Sequence, residues 1–286
     1  MVKGEIAMRE IAMRGTFLRC IGALAALMMG SVTPANAYSL LTTAWDPGTD
    51  TARLSAGNPA PGGATWSIMG AGITDGSGVD PHSGNATTDI TGLLGGSSFA
   101  SMATMFDDAL SIWASVSDFT NLGQVTDSGA AIGASNVSGG HLGDIRIGAI
   151  YIDGSSGSNV LAHALNPCIE VFCGSNGSIG GDIHFDDSNS WVDDPNATTG
   201  IDLFTVALHE FGHALGLGHS DVVGSVMEAT YTGARRALHV DDIFGIQAVY
   251  GASISPPPPS VPIPAAVWLF GSALAGLGWI RRKQEV

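Results

Sequence analysis

The run His209-Glu210-Phe211-Gly212-His213-Ala214-Leu215-Gly216-Leu217-Gly218-His219 constrains this chain more than any other stretch of it. It reads H-E-x-x-H-x-x-G-x-x-H, and each fixed letter has a mechanical reason. Histidines at i and i+4 stand one helical turn apart on the same face, so His209 and His213 can reach one metal ion. Glu210 points elsewhere around the helix and is free to take a proton from a water at the metal. Gly216 lets the chain leave the helix, because glycine tolerates the left-handed conformation at no steric cost. The turn brings His219 back as a third ligand. Three nitrogen ligands with the fourth position open to water are the arrangement of a catalytic rather than a structural zinc site. Five fixed residues at one in twenty each arise by chance on the order of once in a few million starts. A zinc hydrolase is therefore the working hypothesis.

Periodicity supplies the frame around that helix. Phe106, Ala109, Leu110, Trp113 and Val116 lie at helical spacing and predict a helix over 106–119 packed on a sheet. Asp144 to Ile152 alternates like a strand, with Ile145, Ile147 and Ala149 on one face. The site helix is expected over Leu203–Leu215, capped by Asp202 or a neighbour. A last helix is expected over Val240–Tyr250, where Asp241 and Asp242 suit a helix N-terminus. Residues 38–100 are rich in glycine, serine and threonine; a first strand is expected near Thr65–Met69 among long loops.

Flanking residues carry a family resemblance. Eight positions after His219 comes Met227, in Ser225-Val226-Met227-Glu228-Ala229-Thr230-Tyr231, which resembles the Met-turn of the metzincin metalloproteases. Asp241-Asp242-Ile243-Phe244-Gly245-Ile246-Gln247-Ala248-Val249-Tyr250-Gly251 resembles the last helix of the matrixin branch of that clan. Gly180 to Trp191, Val160 to Ala164 and Gly143 to Ile147 are similar to matrixin strand and loop segments. Over roughly residues 100–251 the chain is identified as matrixin-like, a resemblance that implies a secreted zinc endopeptidase. The implied fold is α+β, metzincin-type: a mixed twisted sheet packed with an active-site helix and a C-terminal helix.

The same resemblance assigns further residues. Met227 would form an apolar floor beneath the three imidazoles, and Tyr231 would line the substrate pocket rather than donate a catalytic hydrogen bond. Asp153, Asp182, Asp186 and Asp187 fall where matrixins bind calcium, and hard oxygen ligands suit that ion. His163 and His184 match two ligands of a second, structural zinc, but the segment supplying the other ligands is missing between Ile147 and Val160. Two readings stand: Asp153 and another residue complete a second metal site, or the two histidines hydrogen-bond in the core. Cys168 and Cys173 are expected to form a disulfide in an exported protein, against free thiols or a metal-binding pair.

Both ends read as targeting segments. Lys3, Arg9, Arg14 and Arg19 precede the apolar run Ile21–Gly30 and the small-residue site Ala35-Asn36-Ala37, so residues 1–37 are expected to be a signal peptide for signal peptidase. Once they are removed, no cysteine precedes the domain, and a cysteine-switch zymogen is not expected. Residues 38–252 form the catalytic domain, and 253–260 a Pro-rich linker. Residues 261–286 hold a marginal apolar span, with membrane contact through 263–280, closed by Arg281-Arg282-Lys283. That tail resembles the PEP-CTERM sorting signals of Gram-negative bacteria, with Val261-Pro262-Ile263-Pro264 in place of Pro-Glu-Pro, and implies processing by an exosortase-like enzyme. The alternative is a permanent membrane anchor. Either way the domain is expected outside the cytoplasmic membrane, extracellular or associated with surface exopolysaccharide.

Charge agrees with export. Of 26 acidic residues only Glu5, Glu10 and Glu285 lie in the flanking segments, whereas just Arg53, Arg146, Arg235 and Arg236 of the eleven basic residues lie in 38–252. So acidic a domain excludes a nucleic-acid partner. The acidity itself has two readings, a calcium-dependent surface and plain solubility. His82, His141 and His239 have no partner pattern and are expected on the surface or in loops. Two functions remain: an extracellular zinc endopeptidase acting on protein or peptide substrates, and a matrix-associated zinc-binding structural protein with little or no turnover. Glu210 favours the first, because a non-catalytic site has no need of a carboxylate there.

Overall fold

Four parallel strands and one antiparallel edge strand make the sheet on which the chain is built. The structure, a computed structural model, describes residues 4–5, 38–47, 52–54, 59–74, 85–133, 143–154, 160–167 and 179–253. Its strands are β1 (Gly4–Glu5), β2 (Thr43–Trp45), β3 (Ala52–Leu54), β4 (Gly62–Ile68), β5 (Phe119–Gln124), β6 (Ile145–Ile150), β7 (Ala162–Ala164), β8 (Ile183–Asp186), β9 (Trp191–Val192), β10 (Ile201–Asp202) and β11 (Thr230–Tyr231). The main sheet runs β5-β4-β6-β8-β7, with only β7 antiparallel to its neighbour. The strand expected near Thr65–Met69 is β4, but it is not the first. The antiparallel pair β2–β3 precedes it, too short to leave an alternating pattern.

Among the described residues three α-helices pack on this frame: α1 (Phe99–Val116), α2 (Leu203–Ala214) and α3 (Val240–Tyr250). The architecture is α+β, as expected. Helix α1 starts and ends earlier than its periodicity predicts. Ser98 caps it by accepting from the Ser101 N–H at 3.1 Å, and Phe119 leaves it to enter β5. The predicted apolar face does go inward. Phe106 stacks on Phe185 of β8 with ring centroids 5.7 Å apart, and the Trp113 indole N–H donates to Leu208 O of α2 at 2.9 Å. The side chain of Trp113 thus ties α1 to the helix that carries the site.

Strand β6 falls where its alternation predicts, but both of its faces are covered. All six of its residues are buried, as befits a central strand of a covered parallel sheet. Arg146 is 1% exposed. Its guanidinium forms a two-pronged pair with Asp127, Nε to Oδ2 at 2.8 Å and Nη2 to Oδ1 at 2.9 Å, and also donates to Ala130 O. Burial alone would raise the Asp127 carboxyl; Arg146, the Gly129 N–H and the Ser67 hydroxyl instead hold it below its ordinary value. A buried charge is tolerated only when it is paired in this way.

Helix α3 begins and ends where its sequence predicts, and His239, in the loop before it as expected, serves as its cap. The His239 Nδ1 accepts from Asp241 N at 3.2 Å, while the Asp242 carboxylate accepts from His239 N at 2.7 Å. No helix among the described residues is long and apolar enough to cross a membrane. The tail from 254 onward, with the 263–280 segment, lies outside the described residues, as do Cys168, Cys173, His82 and His141, and 6–37 of the leader.

Candidate metal centre

Helix α2 is buried on every face, so its polar residues His209, Glu210 and His213 are held in apolar surroundings. Asp202 caps it, accepting from Thr205 N at 3.2 Å and from the Thr205 hydroxyl at 2.6 Å. His209 and His213 project from one face, with ring centroids 4.7 Å apart. The helix ends at Ala214, and Gly216 turns the chain with φ 103°. His219 then arrives with its ring centroid 4.7 Å from that of His213 and 5.4 Å from that of His209.

The turn between the second and third histidines is strapped by the segment before β4. Leu41 N donates to Gly216 O at 2.8 Å, Gly218 N to Ser39 O at 2.9 Å, and Trp45 Nε1 to Ala214 O at 2.9 Å. Tyr250 of α3 adds its hydroxyl to Leu215 O at 2.9 Å. A Cβ at Gly216 would lie 2.5 Å from Thr43 O. Glycine is thus required there twice, by backbone conformation and by the strap. Gly216→Ala is expected to cost roughly 1–3 kcal/mol or more, read as a lower thermal midpoint together with weaker zinc binding. An unchanged midpoint would show that the turn tolerates a side chain.

Hydrogen bonds decide which nitrogen each histidine offers. His209 Nδ1 lies 2.7 Å from Val226 O, and His213 Nδ1 lies 2.7 Å from Leu217 O. A carbonyl only accepts, so both Nδ1 atoms carry the proton and both Nε2 atoms keep their lone pairs. Those lone pairs converge. His213 Nε2 stands 3.2 Å from His219 Nε2, and His209 Nε2 is buried with no hydrogen-bond partner. Tetrahedral zinc at about 2.0–2.1 Å from each nitrogen separates two ligand nitrogens by roughly 3.3 Å. The donor set fits that ion. Among the described residues these histidines are the one group of three or more potential ligands whose atoms lie within 4.8 Å of one another.

Electrostatics point the same way. Burial, then the neighbouring His213 and His219, push His209 well below its ordinary pKa. Burial and His219 push His213 down to about 3. Both stay neutral and ligand-ready at any pH near 7. Glu210 is fully buried, and neither carboxylate oxygen has a hydrogen-bond partner. Burial pushes its carboxyl up to about 8. An uncompensated buried carboxyl beside three convergent lone pairs marks a functional site, because such a group is costly unless a cation offsets it.

That shift has a testable sign. A carboxyl raised from 4.5 to about 8 in the folded chain favours the folded state below its unfolded pKa, and this contribution is lost as pH climbs toward about 8. For the metal-depleted full-length chain, the thermal midpoint of Glu210→Gln is expected to gain on that of wild type steadily between about pH 5 and pH 8. A gap that does not change with pH would contradict the burial argument.

Met227 lies against α2, 2% exposed, and a Cβ on Gly212 would collide with its sulfur. The sequence offered no role for Gly212, since a glycine inside a helix reads as a weakness; only this contact explains it. Asp242 is more than a helix-start charge. It is buried, and accepts from the Ser225 hydroxyl, from Val226 N at 2.8 Å and from Met227 N at 3.2 Å, fixing the turn whose Val226 carbonyl orients His209. Tyr231 turns its hydroxyl to accept from Asp202 N at 3.1 Å, at the start of α2.

The remaining predicted residues lie elsewhere. His163 and His184 face each other across β7 and β8, Nε2 to Nδ1 at 3.0 Å, hydrogen-bonded to one another in the core. Asp186 spends its carboxylate on Gly154 N, Ser188 N and the Ser188 hydroxyl. Asp153 accepts from Val160 N at 3.1 Å. Asp182 is fully buried, within electrostatic reach of Arg146. These carboxylates do not converge into one ligand group among the described residues. Asp187 is part-buried beside them, its N–H donating to Ile150 O at 2.9 Å.

Comparison with known proteins gives the site a context. The sequence profile described as Matrixin matches residues 87–251. The chain is 38% identical over 157 residues to interstitial collagenase of Bos taurus, covering 54% of this chain and 29% of that protein. It is 43% identical over 118 residues to neutrophil collagenase of Homo sapiens, covering 39% and 22%. To matrix metalloproteinase-25 of Mus musculus it is 46% identical over 104 residues, covering 35% and 15%. The match thus spans less than a third of each of these relatives.

Proposed function

The chain belongs to the matrixin family of peptidases, and from that premise we propose that it is a zinc-dependent endopeptidase acting on protein or peptide substrates. The observation that carries this reading is the convergence of three imidazole nitrogens beside a buried carboxyl with no hydrogen-bond partner. His209, His213 and His219 would hold the zinc. Bound zinc supplies Lewis acidity, which lowers the pKa of water and polarises a carbonyl oxygen.

The chain's own residues do the rest. His209 and His213 are oriented by their Nδ1–H bonds to Val226 O and Leu217 O, which fix both rings before any ligand arrives. Glu210 takes a proton from the attacking water at a carboxylate oxygen as the water adds to the peptide carbonyl carbon. It then passes that proton to the departing amide nitrogen as the C–N bond breaks. The apolar packing around α2 excludes bulk water and keeps the carboxyl a strong base once a cation compensates it. A purely structural zinc site would have no use for so costly a carboxyl. Tyr231, its hydroxyl committed to Asp202 N, shapes the cleft rather than exchanging protons.

For the chain as a whole we propose export by residues 1–37, catalysis by 38–252, and sorting through the linker 253–260 and the tail 261–286, which places the enzyme outside the cytoplasmic membrane. The test is cleavage of casein or gelatin by the full-length chain, with products identified by mass spectrometry. Cleavage is expected to stop with a zinc chelator and return with added zinc. Cleavage that survives complete metal removal would refute the reading.

A further inference from the structure

We propose that Arg235, paired with Glu228, is a positioning residue for the metal centre: it braces from outside the turn whose Val226 carbonyl orients His209. This rests on the reading that the three histidines hold zinc. Arg235 lies in the loop between β11 and α3, and its guanidinium forks across the turn. Nη1 donates to Ser225 O at 3.0 Å; Nη2 donates to Glu228 Oε2 at 2.6 Å and to Thr232 Oγ1 at 2.6 Å. One planar group therefore spans Ser225 and Glu228, the two ends of the segment containing Val226 and Met227. Glu228 closes the brace by accepting from Gly224 N at 3.3 Å with the same oxygen.

The brace is also tied to the site helix. Arg235 N donates to Thr205 Oγ1 at 2.8 Å, and Thr205 stands one turn before His209 on the same face of α2. On its other side the turn is gripped by Asp242 through Val226 N and Met227 N. Val226 is thus fixed from two directions, and its carbonyl meets His209 Nδ1 at 2.7 Å. Arg235 and Glu228 are partly buried, 17% and 22% exposed at their side chains, so the fork is held rather than loosely solvated.

The sign of the charge separates bracing from electrostatics. A guanidinium near His209 repels a bound cation. If Arg235 acted through its charge, removing it would tighten zinc binding. If it acts through its bonds, removing it loosens the Val226 carbonyl and zinc binding weakens. Loss of the direct outer partner of a metal-bound histidine typically costs about 10–100-fold in metal affinity. Arg235 stands one contact beyond that partner, so its effect belongs at the low end of the range.

The test measures zinc affinity of the full-length chain by chelator competition, and the visible spectrum of the cobalt-substituted form. Wild type is expected to take one zinc. Arg235→Met is expected to bind it several-fold to about tenfold more weakly, with a shifted cobalt band, although a positive charge has been removed. Arg235→Lys keeps the charge without the fork and is expected to fall between the two. Glu228→Gln, at a more exposed position, repeats the measurement should Arg235→Met fold poorly, and is expected to weaken binding with the same band shift. Wild-type zinc uptake of one, with Arg235→Met binding as tightly or more tightly and an unshifted cobalt band, overturns this inference alone. Wild type taking up no zinc would overturn the metal centre, and this inference with it.

Discussion

Glu210→Gln is expected to keep one zinc per chain and to lose roughly a thousandfold or more in kcat, at little cost to folding. The substitution keeps the shape of the side chain and removes only its capacity to take a proton. Both carboxylate oxygens lack hydrogen-bond partners, so no network is broken, and Glu210 belongs to none of the three nitrogens that converge. The loss should appear in kcat rather than KM, because proton transfer belongs to the transition state and not to substrate binding. Peptide hydrolysis and metal analysis on the same preparation check it. Activity near wild type would remove Glu210 from the role of base.

The second large effect falls on metal content. His213→Ala removes one of the two nitrogens that stand 3.2 Å apart and leaves Leu217 O without its 2.7 Å donor. An orphaned buried carbonyl costs on the order of 1–3 kcal/mol, so the fold weakens but the main core persists. Two histidines do not make a closed zinc site. The variant is expected to carry well under one zinc after dialysis and to be inactive. Native mass spectrometry reads both states directly, and a full complement of zinc in His213→Ala would show that the ligands are assigned wrongly.

How much of this was legible in the sequence depends on the distance over which each residue acts. The site helix and its exit turn were readable because i, i+4 spacing and a turn glycine are local facts, and the structure brings His209, His213 and His219 together. The start of α1 was not. Phe99, Ala100 and Ser101 are exposed and only the Ser98 cap marks them, whereas the buried face already begins at Met102 and Met105, one turn before the Phe106 from which the periodicity is read. The alternation of β6 places Ile145, Ile147 and Ala149 on one face but is silent on Arg146 opposite, whose burial depends on Asp127 nineteen positions away. The parts that Gly212, Asp242 and Arg235 play at the site are illegible in the sequence for one shared reason. Each acts through the Met227 turn, across the interval between α2 and α3, which no local pattern spans.

The central claim is that one zinc, held by these three histidines, makes this chain a peptidase. It is tested most directly by titrating the metal-depleted full-length chain with zinc while following hydrolysis of a peptide substrate. Hydrolysis is expected to rise in proportion to added zinc and to break at one equivalent, with the Glu210→Gln chain taking up the same equivalent in silence. Hydrolysis indifferent to zinc, or stoichiometric uptake by the wild-type chain with no hydrolysis of any peptide, would contradict it.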